Sequence, residues 1–160
     1  MSVGGDRGPH HEGGIGLAAR SWGTTSDNVI SAQIVTADGR LRTVDKSRDE
    51  PLYWALRGGG GGNFGILTSF RFRAYPVSSA SWFIAEFPWQ DAADVVNRWQ
   101  RWAPNTTKLL DTICTLGTGI GTATCSVIGQ YFGSQGALRR VLNGLTSVVE
   151  PSSLSVGTSG

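Results

Sequence analysis

Residues 50–76 read EPLYWALRGGGGGNFGILTSFRFRAYP, and this stretch decides the fold of the first half of the chain. Apolar side chains recur at helical spacing from Leu52 to Leu56, Pro51 suits a first helical turn, and Asp49 stands at the capping position. Five glycines then end the helix, and the residues after them alternate as in a strand. The alternation predicts that one side of this strand is formed by Ile66, Thr68, Phe70 and Phe72. We therefore predict a helix, a glycine turn and a strand, in that order.

The glycine run is the strongest candidate for a ligand-binding feature, because backbone amides without a neighbouring Cβ can approach an anion closely. Gly60-x-Gly62-x-x-Gly65 matches the dinucleotide pattern, but that pattern requires a strand before the turn and a helix after it. The predicted order is the reverse, so a nicotinamide-cofactor site of that kind is excluded. A second partial match at residues 14–19 has no strand before it, and neither cluster continues as a Walker loop. Ordering five glycines costs much backbone entropy, which a bound ligand would offset.

Two β-rich runs lie upstream, in residues 29–44, on either side of Asp38-Gly39. This dipeptide tolerates positive φ, so the segment predicts a β-hairpin closed by a type I′ turn. Asp27 and Asn28 precede the first run and are a turn signal, and a ligand role would require their side chains to face a cleft.

Beyond Pro76 the composition changes, and we place a domain boundary before residue 77. After the linker SSAS, the segment SWFIAEFPW predicts a strand, and Asp91 is placed to cap a helix that ends at Pro104. LLDTICTLGTG and TATCSVIGQYFG predict two further strands joined by a glycine-threonine loop, and Ala137 to Val149 predicts a helix. The predicted order is β-α-β-β-α, followed by a tail, PSSLSVGTSG, without a predicted element.

The composition excludes several functional classes. The formal net charge of +2 provides no basic stripe for nucleic acid, and no apolar run approaches the roughly 20 residues of a membrane-spanning helix. The first residues also lack the apolar stretch of a signal peptide. Cys114 and Cys125 have no further ligands nearby for a zinc site, so we expect free thiols, with a disulfide between neighbouring strands as the alternative. His10 and His11, with only Glu12 nearby, are assigned no metal role.

Two segments together carry a family resemblance: GGIGLAARSWGTTSDNVISAQIVTADGRLRTV at residues 13–44 and DEPLYWALRGGGGGNFGILTSFRFRAYP at residues 49–76. They resemble the berberine-bridge-enzyme-like FAD-linked oxidases of the PCMH-type, or vanillyl-alcohol-oxidase, flavoprotein superfamily. The fold that this resemblance implies is α+β. Residues 1–76 would form the C-terminal part of a PCMH-type FAD-binding domain, and residues 77–160 the start of an α+β substrate domain with an antiparallel sheet.

The resemblance implies FAD as the cofactor, with its diphosphate and ribityl chain lying along glycine-rich backbone. The residues that match the family's flavin-binding segments are Gly13, Gly14, Gly16, Asp27, Asn28, Gly62, Asn63, Phe64, Gly65, Ile66 and Leu67. The implied reaction takes a hydride from an alcohol, amine or sugar carbon of a small organic substrate and passes it to oxygen or another acceptor.

The sequence also departs from the family pattern. Glu12 stands where the family commonly has a glycine, and a carboxylate there would repel a diphosphate. The family's first FAD subdomain and the rest of its substrate domain have no counterpart in this sequence, so no catalytic residue is named. We expect the chain alone to be inactive.

Two other functions remain open. In the second interpretation the chain is a truncated, non-catalytic interaction or assembly module, and its uncovered strand edges and core faces predict self-association. In the third interpretation it belongs to another class of nucleotide-binding protein and uses the glycine run to hold a phosphate.

Overall fold

The computed structural model describes residues 14–118 and 123–159. The chain divides into two compact units, Met1–Pro76 and Val77–Gly160. The regular elements of the first unit are α1 (Ala19–Trp22), β1 (Val29–Val35), β2 (Leu41–Asp45), α2 (Glu50–Leu56) and β3 (Ile66–Phe72), with a 3₁₀ turn at Ser26–Asn28. The predicted helix, glycine turn and strand are therefore confirmed.

The first unit is built on a three-stranded antiparallel sheet in the order β2-β1-β3. The predicted hairpin of β1 and β2 is confirmed, but the predicted type I′ turn was wrong. A type I′ turn needs positive φ at both central residues. Here Gly39 has φ +73° while Asp38 does not have positive φ, and the amide of Gly39 donates to the carbonyl of Thr36 at 2.9 Å. Of the two residues Asp38 and Gly39, only the glycine adopts a positive φ in this turn.

A β-bulge changes which side chains of β3 face the core. Ile34 pairs with Leu67 and Gln33 pairs with Ser69, so Thr68 has no partner in the register. The extra residue reverses the alternation within the strand. Leu67 therefore packs against the core together with the phenylalanines of β3, while Ile66 is 73% exposed. The prediction that Ile66 and Thr68 share a side with Phe70 and Phe72 was wrong for this reason.

The core of the first unit lies between this sheet and α2. Its buried members are Val29, Ala32, Ile34, Val44, Tyr53 and Leu56. Pro51 stands in the first turn of α2, as predicted. Asp49 precedes the helix but does not cap it with its side chain. Its φ is +52°, and its carboxylate lies 3.4 Å from the guanidinium of Arg42 instead.

The second unit is a four-stranded antiparallel sheet in the order β5-β6-β4-β7, with two longer helices. Its elements are β4 (Ala80–Phe87), α3 (Ala92–Trp102), β5 (Leu110–Gly117), β6 (Thr124–Tyr131), α4 (Gln135–Thr146) and β7 (Ser153–Ser159). Together with the first unit, this confirms the predicted α+β class with antiparallel sheets. The predicted glycine-threonine loop lies largely outside the described residues.

One face of the second sheet carries the core, because alternate residues of each strand point to opposite faces. Phe83, Ala85 and Phe87 of β4 are buried, whereas Trp82 and Ile84, which alternate with them, are exposed. The buried core also includes Val95 and Trp102 of α3, Leu110 of β5, Cys125, Val127 and Tyr131 of β6, and Leu138, Leu142 and Leu145 of α4. The tryptophans of α3 were expected on its apolar stripe, and Trp99 packs against this cluster as well.

Two features of the second unit differ from the prediction. The tail forms strand β7 and pairs with β4 from Ser153 to Ser159, because a neighbouring strand compensates for its weak β propensity. Asp91 makes no side-chain capping bond, since a 3₁₀ turn at Trp89–Asp91 leads directly into α3. By contrast, Ser134 caps α4 by accepting a bond from the amide of Ala137 at 3.3 Å.

Both cysteines are free, in agreement with the expectation of thiols. Burial raises the pKa of Cys125, and burial together with the nearby Cys125 raises the pKa of Cys114. No helix within the described residues is long and apolar enough to cross a membrane.

Candidate functional site

The residues matched to a cofactor site all belong to the first unit. Gly13 lies outside the described residues, as do His10, His11 and Glu12. The others fall in three segments: residues 14–16 before α1, the turn at residues 27–28, and residues 62–67, which run from the last glycine of the run into the start of β3. The assignment of these residues to FAD stays a prediction.

The turn before β1 is held by Asp27. Its carboxylate accepts hydrogen bonds from the backbone N–H and the hydroxyl of Thr24, both at 2.8 Å. These bonds lower the pKa of Asp27, the positive charge of Arg57 lowers it further, and partial burial opposes both effects. Gly23 has φ +80°, and a Cβ there would lie 2.8 Å from the carboxylate, so the turn requires a glycine beside Asp27.

Asn28 uses its side chain inside the protein. Its amide nitrogen donates to the carbonyls of Trp22 and Thr24, both at 2.9 Å. Its side-chain oxygen accepts from the hydroxyl of Tyr75 at 2.9 Å, and the ring of Tyr75 stacks on Trp22 at 5.1 Å. Both donors of Asn28 are therefore occupied, and any contact of this residue with a ligand would involve its backbone or the remaining lone pairs of its side-chain oxygen.

The first glycine segment is joined to this turn. The amide of Thr25 donates to the carbonyl of Gly14 at 2.9 Å, and Gly14 has φ +59°. A Cβ built at Gly16 would meet nothing within 4 Å, so one side of its backbone is open. The side chain between these glycines, Ile15, is 89% exposed.

The glycine run folds back on the end of α2. The amide of Gly59 donates to the carbonyl of Ala55 at 2.7 Å, and the side chain of Asn63 closes the loop by donating to the carbonyl of Gly59 at 2.8 Å. Gly60 and Gly62 have φ +86° and +78°. A Cβ at Gly62 would meet nothing within 4 Å, so its backbone is also open on one side. The loop is thus ordered by its own hydrogen bonds while leaving backbone available to a ligand.

The segment after the run is packed closely on β1. Gly65 has φ +138°, and a Cβ there would overlap the carbonyl oxygen of Val35. Phe64 and Leu67 pack against the core, whereas Ile66 projects outward. Within residues 62–67, the side chains of Phe64 and Leu67 therefore have structural roles, and the outer surface consists of backbone and the side chains of Asn63 and Ile66.

Sequence reasoning did not single out Arg57 and Trp54. A hollow of about 360 Å³ is lined by Thr24, Ser26, Asp27, Trp54, Arg57, Gly58 and Gly59. Trp54 is 75% exposed, an unusual state for an indole. The segment WALR, residues 54–57, directly precedes the glycines in the sequence. Helical periodicity alone did not show that the side chain of Arg57 would contact the turn that contains Asp27.

The carboxylates of the first unit predict how its stability depends on pH. Hydrogen bonds from Thr24, Thr36 and Ser47 lower the pKa values of Asp27, Asp38 and Asp45, respectively, below 3.8. A lowered folded-state pKa contributes stability above the unfolded-state pKa, and this contribution is lost as the pH falls through the folded-state value. We expect the free energy of unfolding to be level near roughly pH 5 and to fall below pH 3.8.

Urea denaturation at a series of pH values checks this expectation. Asp27→Asn should make the loss below pH 3.8 shallower, because one of the three carboxylates is removed. Stability that increases on acidification through the same range would contradict the assignment of these pKa shifts.

Comparisons with known proteins support the resemblance seen in the sequence. No family model matches the chain. The chain is 38% identical over 151 residues to an uncharacterized FAD-linked oxidoreductase, YgaK, of Bacillus subtilis, a match that covers 91% of this chain and 33% of that protein. It is 40% identical over 94 residues to the berberine bridge enzyme-like Cyn d 4 of Cynodon dactylon, covering 58% of this chain and 18% of the relative. The chain is homologous to berberine bridge enzyme-like, FAD-linked oxidoreductases.

Solved structures agree with this family relationship. The xylooligosaccharide oxidase of Myceliophthora thermophila, in complex with xylobiose, superposes with a TM-score of 0.75 at 30% identity, covering 94% of this chain and 32% of that one. The chain thus spans about a third of the length of the FAD-linked relatives that it matches. The predicted resemblance to FAD-linked oxidoreductases is confirmed.

Proposed function

We propose that the first unit contributes to an FAD site in an FAD-linked oxidoreductase. In this proposal the backbone of residues 14–16 and 62–67 lies against the diphosphate and ribityl chain of the cofactor. The FAD would accept a hydride from the substrate, and the protein would bind and orient both molecules. The observation that carries the proposal is an ordered glycine run whose backbone is open on one side at Gly62.

Two properties of the segments, together with the relatives of the chain, fit a flavin dinucleotide. Glycines permit close approach of main-chain N–H groups to phosphate oxygens, and positive φ at Gly60 and Gly62 lets successive amides converge. Each segment contains an exposed apolar side chain, Ile15 at 89% and Ile66 at 73% exposure, as is common for surfaces that bind a ligand or partner. The FAD-linked relatives point to the same cofactor.

The substrate is proposed as a small organic molecule with an oxidisable alcohol, amine or sugar carbon. Sugars are the first class to screen, because one homologous structure is a xylooligosaccharide oxidase with bound xylobiose. Oxygen or another acceptor would reoxidise the flavin. We assign no catalytic residue within this chain.

A pair of glycine variants tests the FAD site. Gly62 and Gly39 have similar φ values, +78° and +73°, and a Cβ at either would meet nothing within 4 Å. Replacement by alanine should therefore cost similar stability, about 1–2 kcal/mol. Gly62→Ala should also weaken FAD binding about tenfold, because the new Cβ blocks close approach of the cofactor to the backbone. Gly39→Ala, in the hairpin turn, should leave the affinity unchanged.

The measurement is a titration of the natural-length protein that carries this sequence with FAD. Flavin fluorescence is the signal that reports binding. Wild-type protein should purify with flavin absorbance or take up FAD on reconstitution. A colourless protein that cannot be reconstituted contradicts the proposal. Thermal-shift assays with FAD, ATP and NAD separate it from another nucleotide-binding function, since the ligand that binds the folded state stabilises it.

A second candidate, an interaction or assembly module, is favoured by the open face of the second sheet. Ile113, Ile128 and Ile84 lie side by side across β5, β6 and β4, on the face opposite the helices. Ile84 is 41% and Ile113 is 49% exposed. An apolar row of this kind favours self-association of the chain. A monodisperse monomer in light scattering would contradict it.

A further inference from the structure

Arg57 connects two segments of the first unit that are far apart in the sequence. It follows α2 directly and precedes the glycine run. Its Nε donates to the carbonyl of Ser26 at 2.8 Å, and its Nη2 lies 3.4 Å from the carboxylate of Asp27. The side chain is only 28% exposed, and its guanidinium lies 5.4 Å from the ring centre of Tyr53.

These contacts hold the guanidinium in place. The planar group has donors in a fixed arrangement, so it can bond a carbonyl and a carboxylate at once, which the ammonium of lysine cannot do with the same geometry. Tyr53, beneath it, is itself fixed, because its hydroxyl donates to the carbonyl of Val29 at 2.7 Å. A partly buried arginine with two acceptors and an aromatic surface is a rigid connection between α2 and the start of β1.

The connection reaches all three segments of the candidate site. Arg57 stands next to Gly58, where the glycine run begins. Its partner Asp27 bonds Thr24, and the adjacent amide of Thr25 bonds the carbonyl of Gly14. A shift of Arg57 would therefore change the spacing between the two glycine segments.

We propose that Arg57 is a positioning residue for FAD, one that fixes the distance between the Gly14–Gly16 backbone and the glycine run through the Ser26–Asn28 turn. This inference rests on the proposed function of the first unit. It assigns the arginine no direct contact with the cofactor. Arg57 acts on FAD binding through Ser26 and Asp27, and its effect therefore depends on an intact turn.

A double-mutant cycle in the natural-length protein tests this dependence. Arg57→Ala should lower FAD affinity about tenfold, because misplacing a binding segment by a fraction of an ångström is costly. Asp27→Asn should lower it less, since the asparagine can still accept a bond from Thr24. The double variant should bind FAD no more weakly than Arg57→Ala alone, because residues that act through one contact are not additive.

Two further variants complete the experiment. Arg42→Ala is the matched control: Arg42 likewise has two acceptors in the first unit, the carboxylates of Asp38 and Asp49, but contacts neither glycine segment, so FAD affinity should not change. If Arg57→Ala does not fold, Arg57→Lys serves instead, because it keeps the charge and most of the aliphatic stem. It should lower FAD affinity several-fold and leave the flavin-free protein folded by circular dichroism.

The outcomes separate this inference from the proposed function. Failure of the wild-type protein to bind FAD overturns both. Wild-type binding with unchanged affinity in the Arg57 variants overturns only the positioning role. Fully additive losses in the double variant also overturn it, because they would mean that Arg57 acts independently of Asp27, as in a direct contact with a phosphate.

Discussion

Gly65→Ala is expected to destabilise the first unit by about 2–4 kcal/mol. Two effects act together at this position. The φ of +138° is a conformation that side chains rarely adopt, and a Cβ would overlap the carbonyl oxygen of Val35 in the neighbouring strand. Since the overlapping atom belongs to the backbone, β1 and β3 would have to separate to relieve the contact. Hydrogen exchange of the amides in the β1–β3 ladder measures the loss.

Gly62→Ala is the control for this prediction. Gly62 also has positive φ, +78°, but a Cβ there meets nothing within 4 Å. The alanine should therefore cost only the backbone strain, about 1–2 kcal/mol. Equal losses in the two variants would show that the close approach of Gly65 to β1 does not constrain the fold.

Phe83→Ala is expected to destabilise the second unit by about 3–5 kcal/mol. Phe83 is 1% exposed and lies on β4, a central strand of the sheet, where its ring contributes to the core beneath the helices. Its removal takes away buried apolar surface and leaves a cavity that the surrounding side chains fill only in part. Hydrogen exchange of the β4–β6 amides reports this change for the second unit specifically.

The next residue on the same strand provides the comparison. Ile84 points to the opposite face and is 41% exposed, so Ile84→Ala should cost less than half as much as Phe83→Ala. Similar losses at the two positions would mean that both faces of the sheet are covered in the folded protein, contrary to the described structure.

Much of the fold follows from local sequence patterns. The glycine run ends α2 because glycine has a low helix propensity, and alternating side chains predicted β3. Errors arose where a partner strand determines the outcome. The unpaired Thr68 reversed the alternation of β3, and β7 formed from a serine-rich tail because β4 pairs with it along its whole length. Neither effect can be seen in a single segment.

Capping and turn chemistry were also underdetermined by the sequence. Asp49 and Asp91 stand at capping positions, but Asp49 pairs with Arg42 and Asp91 belongs to a 3₁₀ turn. A carboxylate has several possible partners, and the tertiary structure determines which of them lies within reach. Only Ser134 caps its helix through its side chain among the α-helices described here.

The candidate site was accessible from the sequence as a set of segments. The family resemblance marked the two glycine groups and the Asp27-Asn28 pair. It did not show that the side chain of Asn28 forms hydrogen bonds with Trp22, Thr24 and Tyr75. The role of Arg57 also required the structure, because its two acceptors lie about 30 positions earlier in the chain.

A crystal structure of the natural-length protein with FAD is the most direct test of the account. We expect diphosphate or ribityl oxygens within hydrogen-bonding distance, about 3 Å, of main-chain amides in residues 14–16 or 62–67. The glycine backbone should keep the positive φ values at Gly60 and Gly62 described above. FAD bound with neither segment in contact with its diphosphate-linked chain would contradict the central claim.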